Sequence, residues 1–219
     1  PVVTPSLTVY RALHLPARLL CRLYFRLEVV GAGNVPASGP FVVAPVHRSN
    51  VDFMLVAMIT RRRLRFMAKD SLWRVPLLRD LVEVLGAFPV ERGSPDRQAL
   101  RRCLEVLEAG EPLVVFPEGT RKEGPQVGEL FEGAAYLSIR AGVPIVPVGI
   151  GGSAAAMPRG ARTVRPARVR VVVGPPILPP GPGGGRAPRS AVHQLTARLR
   201  SVLQALFDQA EGRSPGGQG

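Results

Sequence analysis

Residues 44–59, APVHRSNVDFMLVAMI, hold one of the chain's three histidines in a short polar break ahead of an apolar run. Asp52 follows His47 by five positions. On a continuous helix, residues so spaced stand about 140° apart and do not meet. A histidine in a loop and an aspartate in the first turn of the following helix can meet, which makes them a candidate catalytic pair. Helix-start chemistry is the alternative. Ser49-Asn50-Val51-Asp52 fits a capping box, with Ser49 as N-cap and Asp52 as its reciprocal partner. Capping accounts for Ser49 and Asp52 but leaves His47 unexplained, and the two roles are compatible.

A second cluster is FPEGTRKEG, residues 116–124. A strand would deliver Glu118 into a turn where Gly119 lets the backbone approach a ligand and Thr120 and Arg121 offer donors. Donors gathered at a strand end suit a phosphate, though a polar turn with a surface arginine fits equally well. The third is GAFPVER, residues 86–92, in which Gly86 precedes a short apolar run, Glu91 and Arg92. Alone, Arg92 is more naturally a surface residue. No phosphate-binding P-loop, dinucleotide fingerprint or serine nucleophile elbow occurs, nor any cluster of His and Cys ligands. His14 and His193 fall in helical patterns and are expected in solvent.

The elements that must position these residues alternate. FVVAPV (41–46), LRFMAK (64–69), part of VLGAFPVER (84–92), PLVVFP (112–117), PIVPVGI (144–150) and RVRVVVG (168–174) have strand character. Helical spacing appears at about 50–60, at 96–110, at 129–142 and at 190–210. This predicts a single α/β domain with a mostly parallel central sheet flanked by helices, in which sites form just beyond strand ends. The expected organisation is an N-terminal amphipathic helical segment over 1–30, the α/β domain over 31–210 and a disordered tail over 211–219.

Residues 6–27, with an interruption expected near Pro16, place Arg11, His14, Arg18, Arg22 and Arg26 on one face and several leucines over much of the rest. Such a helix either packs its apolar side on its own domain or lies in a lipid headgroup layer.

Composition narrows the partners. A hydrophobic share of 46% and a charged share of 21% suit a globular domain. Lys and Arg number 29 against 16 Asp and Glu, a formal net charge of +13. Only Lys69 and Lys122 are lysines. So basic a surface attracts nucleic acid, anionic lipid or phosphorylated substrates, and arginine suits bidentate phosphate contacts. Few aromatics and no nucleic-acid motif argue against a nucleic-acid-binding module. Cys21 and Cys103 form neither a disulfide framework nor a metal site, which favours a reducing compartment. The chain begins at Pro1, which leaves open a preceding targeting segment. No run of about 20 apolar residues is present, so membrane contact is expected at the surface.

Taken in order, the three clusters resemble those of the glycerolipid acyltransferase family, of the 1-acylglycerol-3-phosphate acyltransferase type. That family carries His-x4-Asp, Gly-x5-Arg, Phe-Pro-Glu-Gly-Thr-Arg and a Val-Pro-rich segment. Here they correspond to His47–Asp52, Gly86–Arg92, Phe116–Arg121 and Val143–Val148. Val46 stands where many members have Asn, and FEGA (131–134) lacks the family's Lys.

The resemblance implies acyl transfer from acyl-CoA or acyl carrier protein to a lysophospholipid hydroxyl, with no bound cofactor and no nucleic acid. His47 would be the general base and Asp52 its orienting partner. Gly86, Arg92, Glu118, Gly119, Thr120 and Arg121 would hold the acceptor's glycerol phosphate. Glycerol 3-phosphate, a lyso-aminolipid or a glycolipid are alternative acceptors. It also implies docking on an anionic membrane surface, at the cytoplasmic face of a bacterial membrane, through the N-terminal helix and RRRLR (61–65).

Overall fold

A computed structural model describes residues 7–69, 79, 83–90, 96–181 and 187–213. The elements are α1 (Leu7–Tyr24), β1 (Glu28–Val30), a 3-10 turn at Ala32–Asn34, β2 (Val42–Pro45), α2 (Asp52–Ala57), β3 (Arg65–Lys69) and β4 (Ala87–Val90). There follow α3 (Asp96–Glu108), β5 (Leu113–Val114), α4 (Gly133–Ala141), β6 (Ile145–Gly151), α5 (Ser153–Ala156), β7 (Arg170–Val173) and α6 (Arg189–Ala210). The strands form a seven-stranded sheet in the order β1-β7-β6-β2-β5-β3-β4.

The expected α/β class holds. All neighbouring strands are parallel except β6 and β7, which pair antiparallel. β2, β5 and β6 are buried along their whole lengths, as apolar strands covered on both faces must be. The chain travels one way across the sheet from β2 to β3, and the other way from β4 to β5 and from β5 to β6. Right-handed crossovers therefore put α2 on one face and α3 and α4 on the other, where α6 joins them.

Four local features depart from the sequence expectation. β1 is a short edge strand of the sheet, so the sheet begins before residue 31, inside the segment assigned to the N-terminal helix. The helix expected at about 50–60 is regular only over α2. α1 runs through Pro16 unbroken; Ala12 and Pro16 both lie on its exposed side, where a carbonyl left without an amide partner meets solvent. The tail expected to be disordered from Glu211 is held as far as Arg213. The Glu211 carboxylate accepts the Gly152 N–H at 2.9 Å, and the Arg213 guanidinium lies 3.4 Å from Asp208. Residues 214–219 are outside the described residues.

α1 attaches to the domain through a narrow stripe in which Tyr10, His14 and Cys21 are buried. His14 is thus not in solvent. Its Nε2 lies 3.0 Å from the Ala57 carbonyl oxygen, and the Tyr10 hydroxyl donates to the Arg62 carbonyl at 3.3 Å. Burial pushes the Tyr10 phenol up to about 12. The leucines face outward instead, with Leu15 69% and Leu23 71% exposed and Leu19 and Leu20 similarly open.

Candidate active site

His47 stands just past the C-terminal end of β2, after the buried Val46, whose N–H donates to the Val148 carbonyl at 3.0 Å. The chain then turns into α2, and the turn brings Asp52 back to His47. His47 Nδ1 lies 2.9 Å from Asp52 Oδ2. That oxygen also accepts the Arg48 and Ser49 backbone N–H groups, each at 2.7 Å. Asp52 is completely buried, while the His47 side chain is 20% exposed. With Nδ1 committed to the carboxylate, Nε2 is the nitrogen left to exchange a proton with a ligand. A histidine held in this way can act as a base with an orienting partner, and the same carboxylate closes the turn that starts α2.

The capping expectation holds with one shift. Asp52 accepts the Ser49 N–H at 2.7 Å, and the Ser49 hydroxyl accepts the Val51 N–H at 3.4 Å, rather than that of Asp52, while donating to the Met157 carbonyl at 2.9 Å, so it serves both the helix start and tertiary packing.

FPEGTR follows β5, the strand beside β2, which brings the second cluster against the first. The Phe116 ring packs on the His47 imidazole with centroids 4.2 Å apart. The Lys122 N–H donates to the His47 carbonyl at 2.9 Å, and the His47 N–H donates to Glu118 Oε2 at 2.9 Å. Both backbone groups of His47 are therefore held by the loop that carries Arg121. Gly119 has a positive φ of 68°, and a Cβ there would strike the Phe131 ring. Gly119 and Thr120 are exposed and Arg121 is half-buried. Arg121 has no protein partner among the described residues.

Glu118 departs from its expected place among ligand contacts. It is buried, and its two oxygens take the Arg48 guanidinium at 3.0 and 2.8 Å, the His47 N–H and, at 3.0 Å, the Gly128 N–H. No oxygen remains for a substrate, because four donor contacts already occupy the carboxylate. Arg48, which sequence reasoning did not single out, is equally enclosed. Its second terminal nitrogen donates to the Gln126 carbonyl at 3.1 Å, and its guanidinium stacks on Phe207 at 4.5 Å. Nothing in a sequence separates this arginine from its surface counterparts, since its partner lies 70 residues away. A buried ion pair of this kind contributes geometry more than stability.

Gly86 is likewise structural. At φ 96°, its Cβ position would collide with the Leu64 carbonyl oxygen, and its own carbonyl accepts the Phe66 N–H at 3.1 Å. It permits β4 to start beside β3. Arg92 lies outside the described residues.

Comparison with known proteins gives the family. A chloroplastic 1-acyl-sn-glycerol-3-phosphate acyltransferase of Arabidopsis thaliana is 28% identical over 154 residues, 68% of this chain and 43% of that protein. The chain thus spans less than half of that relative's length. A lyso-ornithine lipid O-acyltransferase of Pseudomonas aeruginosa is 33% identical over 136 residues, 61% of this chain and 50% of that protein. The crystal structure of the 1-acyl-sn-glycerophosphate acyltransferase PlsC from Thermotoga maritima shares the fold, with a TM-score of 0.74 at 23% identity over 94% of this chain and 83% of that one. The profile of the Acyltransferase family matches residues 26–151, which include His47, Asp52 and the 116–121 loop. The chain belongs to the acyltransferase family.

Proposed function

We propose that this protein moves a fatty acyl group from a thioester, acyl-CoA or acyl carrier protein, to the free hydroxyl of 1-acylglycerol 3-phosphate. The observation that carries this is the His47–Asp52 contact at 2.9 Å, directly beside a loop that presents Arg121, unpaired among the described residues. An alcohol is a poor nucleophile at neutral pH and needs a base, and imidazole titrates in the right range. His47 Nε2 takes the hydroxyl proton as the oxygen attacks the thioester carbonyl carbon. Asp52 stabilises the imidazolium that forms. The tetrahedral intermediate collapses, the C–S bond breaks, and the sulfur leaves with the proton returned from His47. No acyl-enzyme or resident cofactor is needed. Arg121 and Thr120, with Arg92 by family resemblance, bind the acceptor phosphate and hold the hydroxyl toward His47. Glu118 positions the loop and His47 rather than touching the acceptor.

The acceptor lives in a bilayer, and α1 supplies the docking surface. Among the described residues no helix is long and apolar enough to cross a membrane. The outward leucines of α1 suit a helix lying in the headgroup layer, with the protein peripheral on the cytoplasmic face.

A lyso-aminolipid acceptor is the second reading. Phe131, in the segment that lacks the family's Lys, packs directly on Gly119 of the acceptor loop, and the similarity to the lyso-ornithine lipid enzyme points the same way.

Thiol release from palmitoyl- and oleoyl-CoA separates these readings, with lysophosphatidic acid and lyso-ornithine lipid offered in turn. Wild type is expected to turn over with the first, and His47→Ala to lose nearly all of it while keeping its circular dichroism. Turnover only with the second acceptor would move the assignment there, and turnover surviving in the mutant would remove His47 as the base.

A further inference from the structure

A large concavity stands apart from His47, with none of the candidate site residues in its lining. It lies between α1 and the segments before β3 and β5, encloses about 1040 Å³, and is lined by Arg11, Arg18, Arg22, Arg61, Arg62 and Arg63. Glu111 is the one carboxylate in that lining, and it is already engaged by Arg63 at 3.3 Å and by Arg65 at 3.6 Å. Arg62 donates to the Pro36 carbonyl at 3.1 Å. Arg11, Arg18, Arg22 and Arg61 have no protein partner among the described residues. Four guanidiniums gathered without an anion repel one another unless a ligand or counter-ion joins them.

The place of the cleft is set by topology. β2, β3 and β5 run in one direction. His47 follows β2, whereas Arg61–Arg63 and Gly110–Pro112 precede β3 and β5, so this wall of the cleft lies at the opposite end of the sheet, while the other wall runs along α1 from Leu7 to Arg22. α1 joins the two ends, with Tyr10 bonded beside the cleft and the Tyr24 hydroxyl donating to the Val164 carbonyl at 2.9 Å near the His47 end. Its 18 residues span about 27 Å.

We propose that this cleft is a second phosphate site, taking the headgroup of an anionic membrane phospholipid and setting how the protein lies on the bilayer. The inference rests on the docking reading of α1 and makes it specific. Leu7, Leu15 and Leu19 line the same cavity, so a phosphate held there has apolar surface beside it. That combination fits a lipid better than a nucleic acid, which calls for aromatic stacking platforms. The arginines, spaced along α1 from Arg11 to Arg22 and joined by Arg61, anchor the length of the helix while its leucines enter the interface, and its Tyr24 end lies toward the His47 loops.

The test is sedimentation of the full chain with vesicles of phosphatidylcholine alone or mixed with phosphatidylglycerol. Each arginine near an anionic surface contributes about 1 kcal/mol, roughly fivefold in partition. The triple variant Arg11→Ala, Arg18→Ala, Arg61→Ala should lose on the order of a hundredfold of the phosphatidylglycerol-dependent gain, with phosphatidylcholine binding and thermal unfolding unchanged. Removing Arg101, Arg189 and Arg198, exposed on α3 and α6, makes the same change in net charge and should leave the gain in place. Equal losses in the two triples, or no loss in the first, would overturn the site.

Vesicle binding abolished by an equal concentration of glycerol 3-phosphate would assign the cleft to a soluble phosphate instead. Normal vesicle binding with turnover lost only for acyl carrier protein substrates would assign it to that acidic partner. Because vesicle binding needs no chemistry, His47→Ala should retain it. A wild type that binds through the cleft but transfers no acyl group would sink the proposed reaction and leave the site standing.

Discussion

Two regions of the molecule use arginine in opposite ways. At the His47 end, Arg48 is enclosed, and its charge is met by Glu118 within a network that also holds the His47 backbone. In the cleft along α1, Arg11, Arg18, Arg22 and Arg61 face a cavity whose one lining carboxylate, Glu111, is already held by Arg63 and Arg65. A satisfied buried charge fixes geometry, because moving either partner would strand the other in a medium that solvates it poorly. An unsatisfied cluster at a surface stores no geometry; what it offers is affinity for an anion. The same residue type is scaffold in one place and recognition in the other, and the difference lies in what stands opposite.

Three substitutions would break or sharpen that contrast. The largest effect is expected for Asp52→Asn, which keeps the shape but gives the imidazole a poor partner. In a comparable triad this change costs about 10⁴ in kcat, and steady-state kinetics with native-like circular dichroism should show a loss of that order here. A loss below tenfold would reduce Asp52 to helix-start chemistry.

Glu118→Ala comes next. It leaves Arg48 buried without a counter-charge, which should cost about 3–5 kcal/mol of stability, read by urea denaturation. If Arg48 is scaffold, Arg48→Met combined with Glu118→Leu should recover much of that stability without restoring activity. A Glu118→Ala variant as stable as wild type would show that the pair does not hold the loop.

Smallest is Arg121→Ala, expected to raise KM for the phosphorylated acceptor by roughly tenfold, as loss of one charge-assisted contact would. KM for the thioester should not move, nor should vesicle binding. A fall in vesicle binding instead would blur the division between the acceptor loop and the arginine cleft.

Much of the candidate site was legible from residue order. His47, Asp52 and Arg121 were candidates by type and spacing, with a capping turn and a surface arginine as alternatives until the family resemblance joined them, and the alternation of apolar strands and amphipathic helices indicated an α/β sheet. The roles inside FPEGTR were less legible. Glu118 looks like a ligand when read along the chain, because acidic side chains in turns usually face solvent. Its burial depends on Arg48 and Gly128, which only the fold brings together. β1 escaped notice for a related reason: three residues between a helix and a turn carry too little pattern to mark a strand.

α1 marks the boundary most plainly. Its helical spacing, its arginines and its leucines are all local properties, and the sequence alone determined that the helix is amphipathic. Which face meets the protein is not a local property. His14 falls on the arginine side by spacing, yet it is buried against Ala57, while the leucines that would ordinarily be chosen for packing stay outside. The sequence likewise determined that a histidine and an aspartate sit at a strand end, and the turn brought them to bonding distance. Periodicity describes an element in isolation. Burial is decided by the neighbours it meets, and those come from residues dozens of positions away.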